Sequence, residues 1–125
     1  LLGPRGNIEF GRREGLLTYT EEIIMKTLIN FQLPVESFNT LVREGTAGDV
    51  LSSILEEIKP EVVYFYAPNG CRRGTMVVNL DDPPRIPSIA EPFFLKFGAK
   101  CEFHIAMSPD DLTRAGLDEL GKRWG

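Results

Sequence analysis

The sequence predicts a single α+β domain, a four-stranded antiparallel sheet with helices on one face. Three observations predict it. Between Met25 and Met107, segments with period-two and period-3.6 patterning follow one another in the order βαββαβ. Two β-prone runs, Val62–Tyr66 and Thr75–Leu80, flank turn residues at Pro68-Asn69-Gly70, so the middle strands form a hairpin. The other two connections each contain helical sequence. This is the split βαβ arrangement, for which the strand order 4-1-3-2 is expected.

Each element has its own local cause. In Met25–Leu33, the residues Thr27, Ile29, Phe31 and Leu33 alternate with Lys26, Leu28, Asn30 and Gln32, which gives the strand one apolar face. Pro34 suits the first turn of a helix, where its missing N–H costs nothing. Phe38, Leu41 and Val42 then recur at helical spacing until Gly45 breaks the helix. A second helix carries Val50, Leu51, Ile54, Leu55 and Ile58 on one face and ends at Lys59-Pro60. After the hairpin, Asp81-Asp82-Pro83-Pro84 stops the third strand. Ile86, Ile89, Ala90, Phe93 and Phe97 share a helical face, although Pro92 inside that helix is expected to kink or break it. In the last strand Cys101, Phe103, Ile105 and Met107 face one way, and Lys100, Glu102, His104 and Ala106 the other. Ser108-Pro109-Asp110-Asp111 then starts an extra C-terminal helix. Its stripe Leu112, Ala115, Gly116 and Leu120 needs a packing surface, with Trp124 as an anchor.

Residues 1–24 read differently. They hold glycines, arginines and a proline without periodicity, and are expected to be an N-terminal arm or extension outside the core. A short turn is the most that Tyr19-Thr20-Glu21-Glu22 suggests. The folded domain is expected to be 25–125, with natural translation or at least folding beginning near Met25.

Composition narrows the function classes. With 125 residues, 42% of them hydrophobic and 26% charged, the chain suits one globular core. A net charge of −4 argues against a nucleic-acid partner, and no apolar run suits a membrane span. Two cysteines, Cys71 and Cys101, form no disulfide framework and no CxxC pair, which fits free thiols in a reducing cytoplasm. One histidine and one nearby carboxylate are too few for a metal site, and neither metal nor cofactor is expected.

The unusual feature is the second sheet face. The rows Ile29/Phe31, Val63/Phe65, Met76/Val78 and Phe103/Ile105 should meet the helices. The opposite face then carries Asn30, Gln32, Tyr64, Tyr66, Thr75, Val77, Asn79, Glu102 and His104. That mixture is too polar for a core and too aromatic for a face in bulk water. With the expected strand order, Asn30 would lie between His104 and Asn79.

On these features, Met25–Trp124 resembles the dimeric α/β-barrel group of ferredoxin-like domains. The phrases Ile86-Pro87-Ser88-Ile89-Ala90-Glu91-Pro92-Phe93-Phe94 and Met107-Ser108-Pro109-Asp110-Asp111-Leu112 are similar to those of small bacterial members with no assigned function. The resemblance implies a homodimer whose open sheet faces pack together around a cavity. The group includes polyketide monooxygenases, muconolactone isomerases, dye- and haem-processing enzymes and regulators, so fold alone does not select a reaction. No catalytic motif matches, and no catalytic residue is carried over.

The candidate residues follow from chemistry. His104, the lone histidine, is the natural proton carrier because imidazole changes charge in the neutral range. Its other reading is a surface or interface residue. Glu102 could orient it or remain solvated. Asn30 and Asn79 could hold a substrate oxygen. Tyr64 could stack on a ligand or pack at the dimer interface, whereas Tyr66 is expected to pack at the interface. Arg72 and Arg73 could receive an anion at the cavity mouth, or be a solvated turn. Three functions are open: a cofactorless isomerase or monooxygenase acting on a small organic molecule, a non-catalytic ligand-binding dimer, and a structural or regulatory interaction domain.

Overall fold

A computed structural model describes residues 8–13, 16–20 and 24–125 of the chain. Strands β1 (Ile8–Arg13) and β2 (Leu16–Thr20) pair antiparallel as a sheet of their own, with a register shift between Glu9 and Arg12. The sequence reading gave this segment no strand. Tyr19 and Thr20 belong to β2 rather than to a turn, while Glu21 and Glu22 lie outside the described residues.

The second sheet is built from β3 (Met25–Leu33), β4 (Val62–Tyr66), β5 (Arg72–Leu80) and β6 (Lys100–Ile105). Its order is β4-β5-β3-β6, and all three neighbouring pairs are antiparallel. Read from the other edge, this is the expected 4-1-3-2. Helices α1 (Val35–Glu44) and α2 (Ala47–Ile58) connect β3 to β4, and α3 (Arg85–Phe97) connects β5 to β6. The fold is thus α+β with an open four-stranded sheet, compatible with a ferredoxin-like topology.

One sheet face forms the core. Ile29, Phe31, Met76 and Val78 from the central strands are buried against Phe38 of α1, Ile54 and Ile58 of α2, and Ile89, Phe93 and Phe97 of α3. The Phe31 ring sits 4.7 Å from that of Phe93 and 5.9 Å from that of Phe65. The edge strands are less well covered. Val63 and Phe103 are partly buried against the core, whereas Ile105, expected to face the helices, is 67% exposed at the end of β6.

Helix ends follow local chemistry, with three departures. Gly45 closes α1 in the left-handed region at φ 77°, the break expected there. Pro34 is the residue before α1 rather than part of its first turn; its backbone is extended. Pro92 neither breaks nor ends α3, which is helical from Arg85 to Phe97. Ile89, Ala90, Phe93 and Phe97 are all buried on both sides of Pro92, and that packing outweighs the lost N–H. The C-terminal segment forms two helices, α4 (Pro109–Arg114) and α5 (Leu117–Trp124), divided by Gly116 at φ 74°. Ser108 starts α4 with a complete capping box to Asp111. Neither helix has a buried residue, and Trp124 is exposed rather than an anchor.

Candidate functional site

The antiparallel register arranges the helix-free face in four rows across β4, β5, β3 and β6. One row is Val62, Val77, Leu28 and His104. The next, one pleat along, is Tyr64, Thr75, Asn30 and Glu102. A third is Tyr66, Arg73, Gln32 and Lys100. On the far side of His104's row, Asn79 pairs with Lys26. Successive rows lie about 7 Å apart, since each strand residue advances about 3.4 Å.

The centre of this face is a chain of hydrogen bonds. Thr75 Oγ1 donates to Asn30 Oδ1 at 2.8 Å, and Tyr66 Oη lies 2.6 Å from Thr75 Oγ1. A threonine hydroxyl has one proton, so Tyr66 must be the donor in the second bond. Asn30 Oδ1 is therefore occupied, and its Nδ2 group keeps both protons free of protein partners among the described residues. Asn30 and Thr75 are half-buried, which restricts the amide to this orientation.

Glu102 stands directly across from Asn30 on β6. Its Oε1 is 3.6 Å from His104 Nε2, and the two side chains are 64% and 58% exposed. Solvent screens a pair this exposed, so it adds little to stability. Tyr64, 68% exposed, and Val62, Val77 and Leu28 add an apolar floor beside these polar groups. His104 and Glu102 thus share the open face, as the strand alternation requires.

Other candidates are placed differently. Asn79 is not beside Asn30. It lies two rows away, where its Nδ2 donates to Glu61 Oε2 at 3.3 Å. Lys26 Nζ meets both Glu61 oxygens at 2.9 Å, and these bonds, then that from Asn79, hold the Glu61 carboxyl below the usual range. His104 faces Leu28, so Asn30 does not separate it from Asn79. The neighbouring arginines part company, because successive strand residues face opposite ways. Arg72 turns to the helix face, with its guanidinium 4.9 Å above the Phe38 ring, whereas Arg73 shares the open face with Thr75. Tyr66, read from sequence as packing, is a hydrogen-bond donor in the central network.

Sequence reasoning placed Thr75 on this face without giving it a role. The signal was present: the tight turn at Pro68–Gly70 sets Tyr66 opposite Arg73 and hence Tyr66 diagonal to Thr75. Among the described residues, no group of three or more His, Cys, Asp or Glu side chains could hold a metal. No described helix is long and apolar enough to cross a membrane.

The grooves among the described residues include three that lie elsewhere. Two, of about 480 and 490 Å³, run along α4 and α5, and one of about 320 Å³ lies between α2 and β5. None of the three is lined by Asn30, Tyr64, Glu102 or His104. The open face by itself is a floor without walls. No family model matches the chain, and no curated protein or solved structure matches it. The geometry of this face therefore carries the functional reading.

Proposed function

We propose that two copies of the chain pack their open sheet faces together and hold a small, partly apolar organic molecule between them. The observation that carries this reading is the Tyr66–Thr75–Asn30 chain. It fixes an amide with its donors free, on a face that also exposes Tyr64 and Val62. Aromatic residues of this kind are enriched at interfaces, and polar groups convergent on an apolar floor are what a small-molecule site needs. A second copy supplies the missing walls.

The chemistry such a chamber supports is proton transfer. Asn30 Nδ2 donates to a carbonyl oxygen of the bound molecule and stabilises charge that develops there. His104 takes a proton from an adjacent C–H and returns it to another carbon, so the reaction is an isomerisation with no net gain or loss of electrons or atoms. Glu102, 3.6 Å from the ring, holds the imidazole in place during transfer. The exposure of both side chains in one chain is relieved when the second face covers them.

The test is the mass of the protein in solution by light scattering. The wild-type chain is expected at twice its 14.0 kDa mass. Val77→Lys, which puts a charge on the apolar floor, is expected at the single-chain mass. A wild-type monomer overturns the reading. Once a substrate is in hand, His104→Gln should lower turnover about 10²-fold or more.

A further inference from the structure

The row of Tyr66, Arg73, Gln32 and Lys100 carries two cations and no carboxylate. Lys100 and Gln32 pair directly across β6 and β3, and Gln32 with Arg73 across β3 and β5. Arg73 Nε is buried and has no hydrogen-bond partner among the described residues. The chain's own atoms cover that N–H, so an outside acceptor reaches this guanidinium only at its terminal nitrogens. Its neighbours across the sheet cannot neutralise it: Lys100 is also a cation, and the nearest carboxylate on this face, Glu102, is one row and two strands away. Arg72 is engaged over Phe38, which leaves Arg73 as the arginine of this strand available to the open face.

We infer that this row is an anion-holding end of the proposed chamber and that the bound molecule is a small organic carboxylic acid. The inference rests on the small-molecule role proposed above and names the substrate class. A carboxylate is the acceptor that matches a guanidinium, and the two terminal nitrogens of Arg73 can donate to it side by side. Lys100 adds a second, mobile positive charge, and Gln32 Nε2 a neutral donor. A molecule held there by its carboxylate projects along the strands toward Thr75 and Asn30, about 7 Å away. At that distance the free Asn30 Nδ2 group meets a second oxygen, so an oxo or hydroxy acid with several carbons between its two polar ends fits both contacts.

The experiment uses the full chain, labelled with ¹⁵N, titrated with phenylacetate and, in parallel, with its neutral isostere phenylacetamide. Phenylacetate is expected to give saturable shifts at Gln32, Arg73, Thr75 and Asn30, with an affinity at least tenfold above that of the amide. Arg73→Gln should lower the phenylacetate affinity at least tenfold with the oligomeric mass unchanged, and Arg73→Lys should restore part of it. Equal affinity for acid and amide overturns the inference, as do shifts confined to other residues. So does the absence of saturable shifts with phenylacetate and with benzoate. Light scattering on the same samples separates the two ideas. A dimer that binds neither acid removes the carboxylate inference alone, whereas a monomer with the expected shifts removes the dimer alone. If Arg73→Gln dissociates the dimer, the acceptor is a carboxylate of the second copy, and the inference fails.

Discussion

Gly74 on β5 pairs directly with Phe31 on β3, and the Phe31 ring occupies the space a Cβ on Gly74 would need. A Cβ built there would stand 2.2 Å from Phe31 Cζ. Phe31 is fully buried between Phe93 and Phe65, so the ring has no free volume into which to retreat. Gly74→Ala should therefore destabilise the protein by about 1–3 kcal/mol, the usual cost of overpacking a core. Urea denaturation followed by circular dichroism measures it. An unchanged midpoint would show that the sheet and α3 separate more easily than this packing implies.

Thr75→Val tests the central network. Valine keeps the volume but removes the donor to Asn30 and the acceptor for Tyr66. The expected loss of stability is about 1 kcal/mol, typical of a hydrogen bond that water can partly replace. The side-chain NH₂ signals of Asn30 should shift and their exchange with water should quicken. Unaltered Asn30 signals would mean that Thr75 does not set the amide orientation.

The Lys26–Glu61 pair predicts a pH effect of defined sign. Glu61 has its pKa lowered from 4.5 by the Lys26 hydrogen bonds first and by Asn79 second. The folded state thus favours the carboxylate. The stability this adds is fully present above pH 4.5 and is lost as pH falls through the lower folded value. Asp111, lowered by the Ser108 backbone and by Arg114, acts in the same direction. Glu61→Gln should flatten the acid limb of the stability profile, and added salt should do so partially. An acid limb identical to wild type would assign acid sensitivity to other carboxylates.

Cys101 predicts the opposite limb. Burial raises its thiol from 9.0 to about 11. The neutral thiol is the folded form, so its contribution is full below pH 9 and is lost as pH rises through about 11. Alkylation by iodoacetamide should be slow at pH 8 and accelerate steeply toward pH 11, because the thiolate is the reactive species. Rapid modification at pH 8 would place Cys101 in a more open setting than its strand position against the core suggests.

The fold was legible where two signals coincided. Alternation in β3 and β5 set which residues faced the helices, and the Pro68–Gly70 turn fixed the register of β4 against β5. The break that Pro92 suggested is absent, because the buried Phe93 and Phe97 that hold the helix across it arrive only with tertiary packing. The C-terminal stripe misled for the converse reason: its apolar spacing is real, but Gly116 divides it and no described surface covers it. Within the candidate site, the face on which His104, Glu102 and Asn30 stand followed from parity alone. The separation of Asn79 from Asn30 did not, because parity assigns a face whereas only the register assigns a row.

Isotope-filtered NOE spectroscopy on a mixture of labelled and unlabelled chains reads directly whether two open faces meet. A dimer through these faces gives intermolecular contacts from the Tyr64 ring to the methyl groups of Leu28, Val62 or Val77, and none from residues of α1–α3. Intermolecular contacts confined to the helices, or a complete absence of them at millimolar protein, would contradict it.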